Sequence, residues 1–179
     1  MIGKAVARRA AGLNTRVLYW TPGRKPEQEE REAGLTFAAL DSLLRESDFV
    51  SLHSPLNPST RHQIGARELK LMKKTAYLIN TARGPIVDEA ALIRALRTKQ
   101  IAGAGLDVFE YEPKVGKELR KLNNVVLTPH RPRAAPRRRL QLIAERRFAC
   151  KPAHQPLSNA AIFVGTVRQK LVITEWHHP

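Results

Sequence analysis

Residues 75–113, TAYLINTARGPIVDEAALIRALRTKQIAGAGLDVFEYEP, and residues 123–130, NNVVLTPH, decide the fold. The apolar run Tyr77-Leu78-Ile79 leads into Asn80-Thr81-Ala82-Arg83-Gly84 and predicts a strand over Thr75 to Asn80. Asp88 to Lys99 reads as a helix: Ala91, Leu92, Ala95 and Leu96 share one face, and Asp88 stands where a cap belongs. Ile101 to Leu106 and Val125-Val126-Leu127 then read as two further strands.

The same alternation continues towards the N-terminus. Ala66 to Met72 is helical in pattern, and Phe49-Val50-Ser51-Leu52-His53 is a strand stopped near Pro55. Asp41 to Arg45 forms a helical turn, and Val17-Leu18-Tyr19-Trp20 a strand followed by the turn-rich Thr21-Pro22-Gly23. Before it, Ala5, Val6, Ala7, Ala10 and Ala11 lie at helical spacing, with Gly12 ending the segment. Short strands alternating with helices imply an α/β fold, a parallel sheet with helices on both faces. Ligands of such sheets sit beyond the carboxyl ends of the strands. Those ends carry Arg83, then Asp107, Glu110 and Glu112, then His130: an arginine, carboxylates and a histidine on one edge of one sheet.

Composition bounds the rest. No stretch of about 18 apolar residues occurs, which excludes a helical membrane span, and MIGKAVARRAAGLNTR lacks the apolar core of a secretory signal. Cys150 is the only cysteine, so an internal disulfide and a cysteine-cluster zinc site are excluded, and a reducing, cytoplasmic setting is expected. Lys and Arg number 31 against 16 Asp and Glu, a net charge of +15. Residues 131–179 hold ten of the basic and two of the acidic residues, more than half of the excess. The chain therefore divides into a globular unit, residues 1–130, and a basic tail, residues 131–179.

With these residues in view, 75–113 and 123–130, together with LLRESDFVSLHSPLNPSTRHQIGARELKLMKKTAYLINTARG at 43–84, resemble the nucleotide-binding domain of D-isomer-specific 2-hydroxyacid dehydrogenases. Within that family they look most like glyoxylate and hydroxypyruvate reductases. The resemblance implies a Rossmann-type fold, NADH or NADPH as cofactor, a small 2-oxo or 2-hydroxy acid as substrate, and a homodimer. It also implies roles. His130 matches the general acid that protonates the substrate carbonyl oxygen, and Glu112 the carboxylate paired with it, an arrangement that favours the charged imidazole. Arg83 matches the group that grips the substrate carboxylate and polarises its carbonyl. Asp107 matches the residue that holds the nicotinamide carboxamide. Thr81 and Ala82 match the backbone lining the nicotinamide, and His53, Pro55 and Leu56 the adenosine side. No Asp or Glu occurs in Tyr19 to Lys25, where an NAD-selective site would place one, and Thr21, Arg24 and Lys25 suit a 2′-phosphate, which points to NADPH.

The chain departs from the family pattern at two places. Of the fingerprint G-x-G-x-x-G, only Gly3 is present, so the expected sheet is incomplete at its N-terminal side, without its central first strand. After His130 the resemblance stops, and Arg131-Pro132-Arg133-Ala134-Ala135-Pro136-Arg137 replaces the family's Ile-Gly-Ser-Ala-Thr. GC-rich codons for Gly-Ser-Ala-Thr, read one base late, encode Ala-Ala-Pro, so an irregular, poorly packed, frame-shifted tail is expected. Leu140 to Phe148 could form a basic helix, and His177-His178 is a histidine pair without further ligands nearby, so no metal site is expected. Two other readings are a partner-binding protein without catalysis and a nucleic-acid-binding protein that uses the Arg131 to Arg147 cluster, which lacks interleaved aromatic residues.

Overall fold

The computed structural model describes residues 2–13, 15–128, 130 and 170–174. Ten residues of helix come first, α1 (Ile2–Ala11), and lead into β1 (Arg16–Trp20). Next come α2 (Glu27–Ala33), β2 (Leu35–Phe37), α3 (Leu40–Glu46) and β3 (Phe49–Leu52). Then follow α4 (Ala66–Leu71), β4 (Tyr77–Asn80), α5 (Glu89–Arg97), β5 (Gly103–Leu106) and β6 (Val125–Leu127). A last strand, β7 (Lys170–Thr174), comes from the tail. The seven strands form one sheet in the order β2-β1-β7-β3-β4-β5-β6, and every pairing is parallel.

Both faces of the sheet are covered, as the alternating pattern requires. Successive residues of a strand point to opposite faces. In β1, Val17 packs with Ala7 and Ala10 of α1, whereas the adjacent Leu18 belongs to the larger core built with α3, α4 and α5. Leu43, Leu44, Leu69, Leu78, Leu92 and Ile101 are fully buried there. The predicted face of α5 is the buried one, and the Asp88 carboxylate accepts the backbone N–H of Ala91 at 2.9 Å, capping the helix.

Two elements have no counterpart in the sequence reading. Helix α2 and strand β2 lie between Trp20 and Leu40, joined by Gly34 at φ 64°, the left-handed conformation that ends a helix at least cost in glycine. A third difference concerns the centre of the sheet. The sequence reading leaves this position without a strand, and Lys170–Thr174 occupies it. Residues 131–169 and 175–179, with the helical reading of Leu140 to Phe148 and the pair His177-His178, lie outside the described residues.

Candidate active site

Because all seven strands are parallel, their carboxyl ends share one edge of the sheet, and the loops that leave β1, β3, β4, β5 and β6 all start there. Four of these loops carry the predicted residues most closely tied to chemistry. The loop after β4 holds Thr81, Ala82 and Arg83, and the loop after β5 holds Asp107 and Glu112. His130 follows β6, and His53 and Pro55 follow β3. Gly3 is buried in the first turn of α1.

His130 and Glu112 meet. Imidazole Nδ1 lies 3.1 Å from Glu112 Oε2, and both side chains are partly exposed. The other oxygen of Glu112 accepts the backbone N–H of Phe109 at 3.0 Å, so the carboxylate is held from both sides. Nδ1 is engaged, which leaves Nε2 as the nitrogen able to face a ligand. Asp107 sits beside the next strand: its Oδ1 accepts the Thr128 hydroxyl at 2.5 Å, and Thr128 N–H continues the ladder to Leu106. Arg83 is exposed, with Nη1 donating to Ala82 O at 2.6 Å, and no carboxylate among the described residues pairs with it. Its guanidinium is therefore available to an anion.

The loops are positioned by residues to which the sequence reading gave no role. Asn80 is 1% exposed and closes the turn after β4: Nδ2 donates to Arg83 O at 2.9 Å, and Oδ1 accepts Ala82 N–H at 3.0 Å. Glu89 and Glu110 exchange backbone contacts, Glu110 Oε2 accepting Glu89 N–H at 3.1 Å and Glu89 Oε2 accepting Glu110 N–H at 3.2 Å. Glu110 Oε1 also lies 2.7 Å from His62 Nε2. This pins the segment carrying Glu112 to the start of α5, and burial raises the pKa of Glu89. Gly84 packs so closely on the backbone of Phe109 and Glu110 that a Cβ there would collide with it. These signals were faint in the sequence, where an Asn at a strand end or a Glu in the first turn of a helix is ordinary.

At the end of β1 the arrangement differs from the sequence reading. No acid lies within Tyr19 to Lys25, yet α2 folds back and brings Glu30 to the place. Glu30 accepts the Tyr19 hydroxyl at 2.5 Å and both Nε and Nη2 of Arg24 at 2.9 Å. Hydrogen bonding from Arg24, reinforced by Tyr19, holds the Glu30 carboxyl down at about 2, and burial with the Glu30 contact pushes Tyr19 up to about 12. Arg24 is thus half of an ion pair, with its guanidinium 5.9 Å from the Phe37 ring centroid. Thr21 is buried, its hydroxyl donating to Gly23 O at 2.5 Å. His53 lies 2.9 Å from the Ser51 hydroxyl, while Pro55 and Leu56 are exposed. Among the described residues no group of three His, Cys, Asp or Glu could hold a metal, and no helix is long and apolar enough to cross a membrane.

Comparisons with known proteins identify the family and the fold. The profile of the D-isomer specific 2-hydroxyacid dehydrogenase, NAD binding domain, matches residues 1–131. Glyoxylate reductase from Thermococcus litoralis is 57% identical over 129 residues, and that from Thermococcus gammatolerans 59%. Each match takes in 72% of this chain but only 39% and 38% of the relatives, so the chain spans about two fifths of their length. Among solved structures, a glyoxylate reductase from Paecilomyes thermophila superposes with a TM-score of 0.68 at 43% identity, covering 72% of this chain and 39% of that one. The NAD complexed form of a D-isomer specific 2-hydroxyacid dehydrogenase from Lactobacillus delbrueckii ssp. bulgaricus gives 0.65 at 43% identity, covering 72% and 43%. The matched residues end just past His130, where the site loops end, and over them the chain belongs to the D-isomer specific 2-hydroxyacid dehydrogenases as their NAD-binding domain.

Proposed function

We propose that this domain binds NADH or NADPH along the carboxyl edge of its sheet and serves the reduction of a small 2-oxo acid, glyoxylate or hydroxypyruvate, to the 2-hydroxy acid. The observation that carries the reading is the His130–Glu112 pair at that edge, on a chain whose relatives include glyoxylate reductases. The donor set suits the cofactor: Asp107 offers a carboxylate acceptor to a carboxamide N–H, and Thr81, Ala82, Pro55 and Gly3 offer small or backbone surfaces. When bound, the nicotinamide supplies the hydride that reaches the carbonyl carbon.

The chain's own groups handle the substrate's charge. Arg83 binds the carboxylate of the 2-oxo acid and draws electron density towards the carbonyl oxygen. His130, oriented through Nδ1 by Glu112, delivers a proton from Nε2 to that oxygen as negative charge builds on it. Glu112 stabilises the imidazolium before the proton leaves. The largely exposed Arg24 favours NADPH, with Glu30 offsetting part of its charge, whereas the buried Thr21 hydroxyl is taken up by Gly23 O. The portion of the relatives outside the matched 129 residues would complete the substrate pocket and the homodimer. A substrate misplaced by ~1 Å costs about 100-fold in rate, so the chain alone is expected to bind cofactor and turn over negligibly.

Fluorescence titration with NADH and NADPH tests the reading. Saturable binding is expected for both, tighter for NADPH, with the difference narrowed in Arg24→Ala. Oxidation of NADPH with glyoxylate is expected to stay near background. Failure to bind either cofactor would sink the proposal, and turnover matching a full-length relative would sink the dependence on the remaining portion.

A further inference from the structure

Strand β7 enters the sheet from the far end of the chain. Every backbone ladder between the β1–β2 pair and the β3–β4–β5–β6 group passes through it. Its five residues pair with all of β1, from Arg16↔Lys170 to Trp20↔Thr174, and four of them pair with β3, from Phe49↔Leu171 to Leu52↔Thr174. Both flanking strands are interior: Val17, Leu18, Tyr19, Val50 and Leu52 are buried. With nothing between them, the N–H and C=O groups on their facing edges would have no partners and little water.

Such a gap selects by backbone geometry first. It accepts an extended segment that pairs in parallel on both sides and offers apolar residues to both layers. Leu171-Val172-Ile173 fits by composition, being apolar, rich in β-branched residues and free of Pro and Gly. Strand β7 and its neighbouring helix α1 stand at opposite ends of this sequence. The backbone ladders to β1 and β3 therefore hold β7 in place, rather than a short turn to α1.

We propose that the gap between β1 and β3 is a strand-acceptor site that binds one extended apolar peptide in parallel, and that the chain's own Lys170–Thr174 is its resident occupant. Whatever the origin of the tail, the site needs only the pattern of these five residues. The inference is independent of the catalytic reading, since it concerns backbone pairing and not the edge loops.

Hydrogen exchange on the full chain is the first test. Amides of Leu171 to Thr174 are expected to exchange slowly, together with those of β1 and β3. Fast exchange at 171–174 beside protected β1 and β3 would overturn the proposal. The second test uses Val172→Pro, which removes a ladder N–H, and a fluorescein-labelled peptide of residues 168–176. The unmodified chain should ignore the peptide. The variant should lose protection in β1 and β3, bind one peptide per chain and regain that protection, while a scrambled peptide does nothing. A variant that keeps full protection, or loses it without binding the peptide, contradicts the site. If the variant does not fold, exchange in the unmodified chain decides alone. Sedimentation should give a monomer; a dimer with protected 171–174 would mean that a second copy supplies the strand and would overturn the resident occupant.

Discussion

Glu30 shows what a single residue gains from being folded. Its carboxylate is buried against Tyr19 and Arg24, and those hydrogen bonds lower its pKa from 4.5 to about 2. A carboxyl whose pKa is depressed by folding adds stability above its unfolded value and loses it as the pH falls through the folded one. The thermal midpoint of the protein is therefore expected to drop between pH 4.5 and about 2 with a component that Glu30→Gln lacks. Equal acid sensitivity in the two proteins would refute the assignment. Asn80 is the second case. Asn80→Ala removes both bonds that close the Ala82–Arg83 turn, and leaving buried groups unpaired costs roughly 1–3 kcal/mol. Chemical denaturation should show that loss, and cofactor titration a weaker affinity, because the turn lies on the proposed binding edge. The places of Arg83, Glu112 and His130 were legible in the sequence, since each follows a strand, and their proposed roles come from the family motif. Glu30 and Asn80 were not: their roles rest on partners brought close only by the fold.

At the level of elements, legibility followed the strength of the local pattern. Helix α5 has a clear apolar face and a capping aspartate, and both appear in the structure as read. Asp88→Ala is expected to destabilise the protein by about 1 kcal/mol, the usual worth of such a cap. Urea denaturation would measure it, and a change near zero would mean that Ala91 N–H finds another partner. Strands β3, β4, β5 and β6 stand within two residues of their predicted limits. Helix α2, sequence EQEEREA, has no apolar stripe to announce it, and β2 is only three residues long. Their stability comes from tertiary contacts: Glu30 reaches Tyr19 and Arg24, Glu29 reaches Lys4, and Phe37 packs edge-on against Tyr19 at 5.4 Å. Period and propensity carry no trace of such contacts.

For the whole molecule, charge and topology tell different stories. A net charge of +15 attracts polyanions whatever the fold. Retardation of duplex DNA in a gel is expected at about 50 mM salt and should vanish by about 200 mM, without sequence preference, because counterion release drives such binding. Selective binding that survives the higher salt would restore the nucleic-acid reading. Topology is the deeper contrast. The sequence alone determined the parallel α/β class and the strand ends on which Arg83, Asp107, Glu112 and His130 stand, because period-2 and period-3.6 patterns and short motifs are properties of neighbouring residues. Only the tertiary structure decided that Glu30 answers Arg24 and that Lys170–Thr174 lies between β1 and β3, whereas the contact of Glu112 with His130 was already implied by the family resemblance. Pairing between distant segments depends on which backbone edges are left open once the rest has packed, and a one-dimensional pattern does not record those open edges.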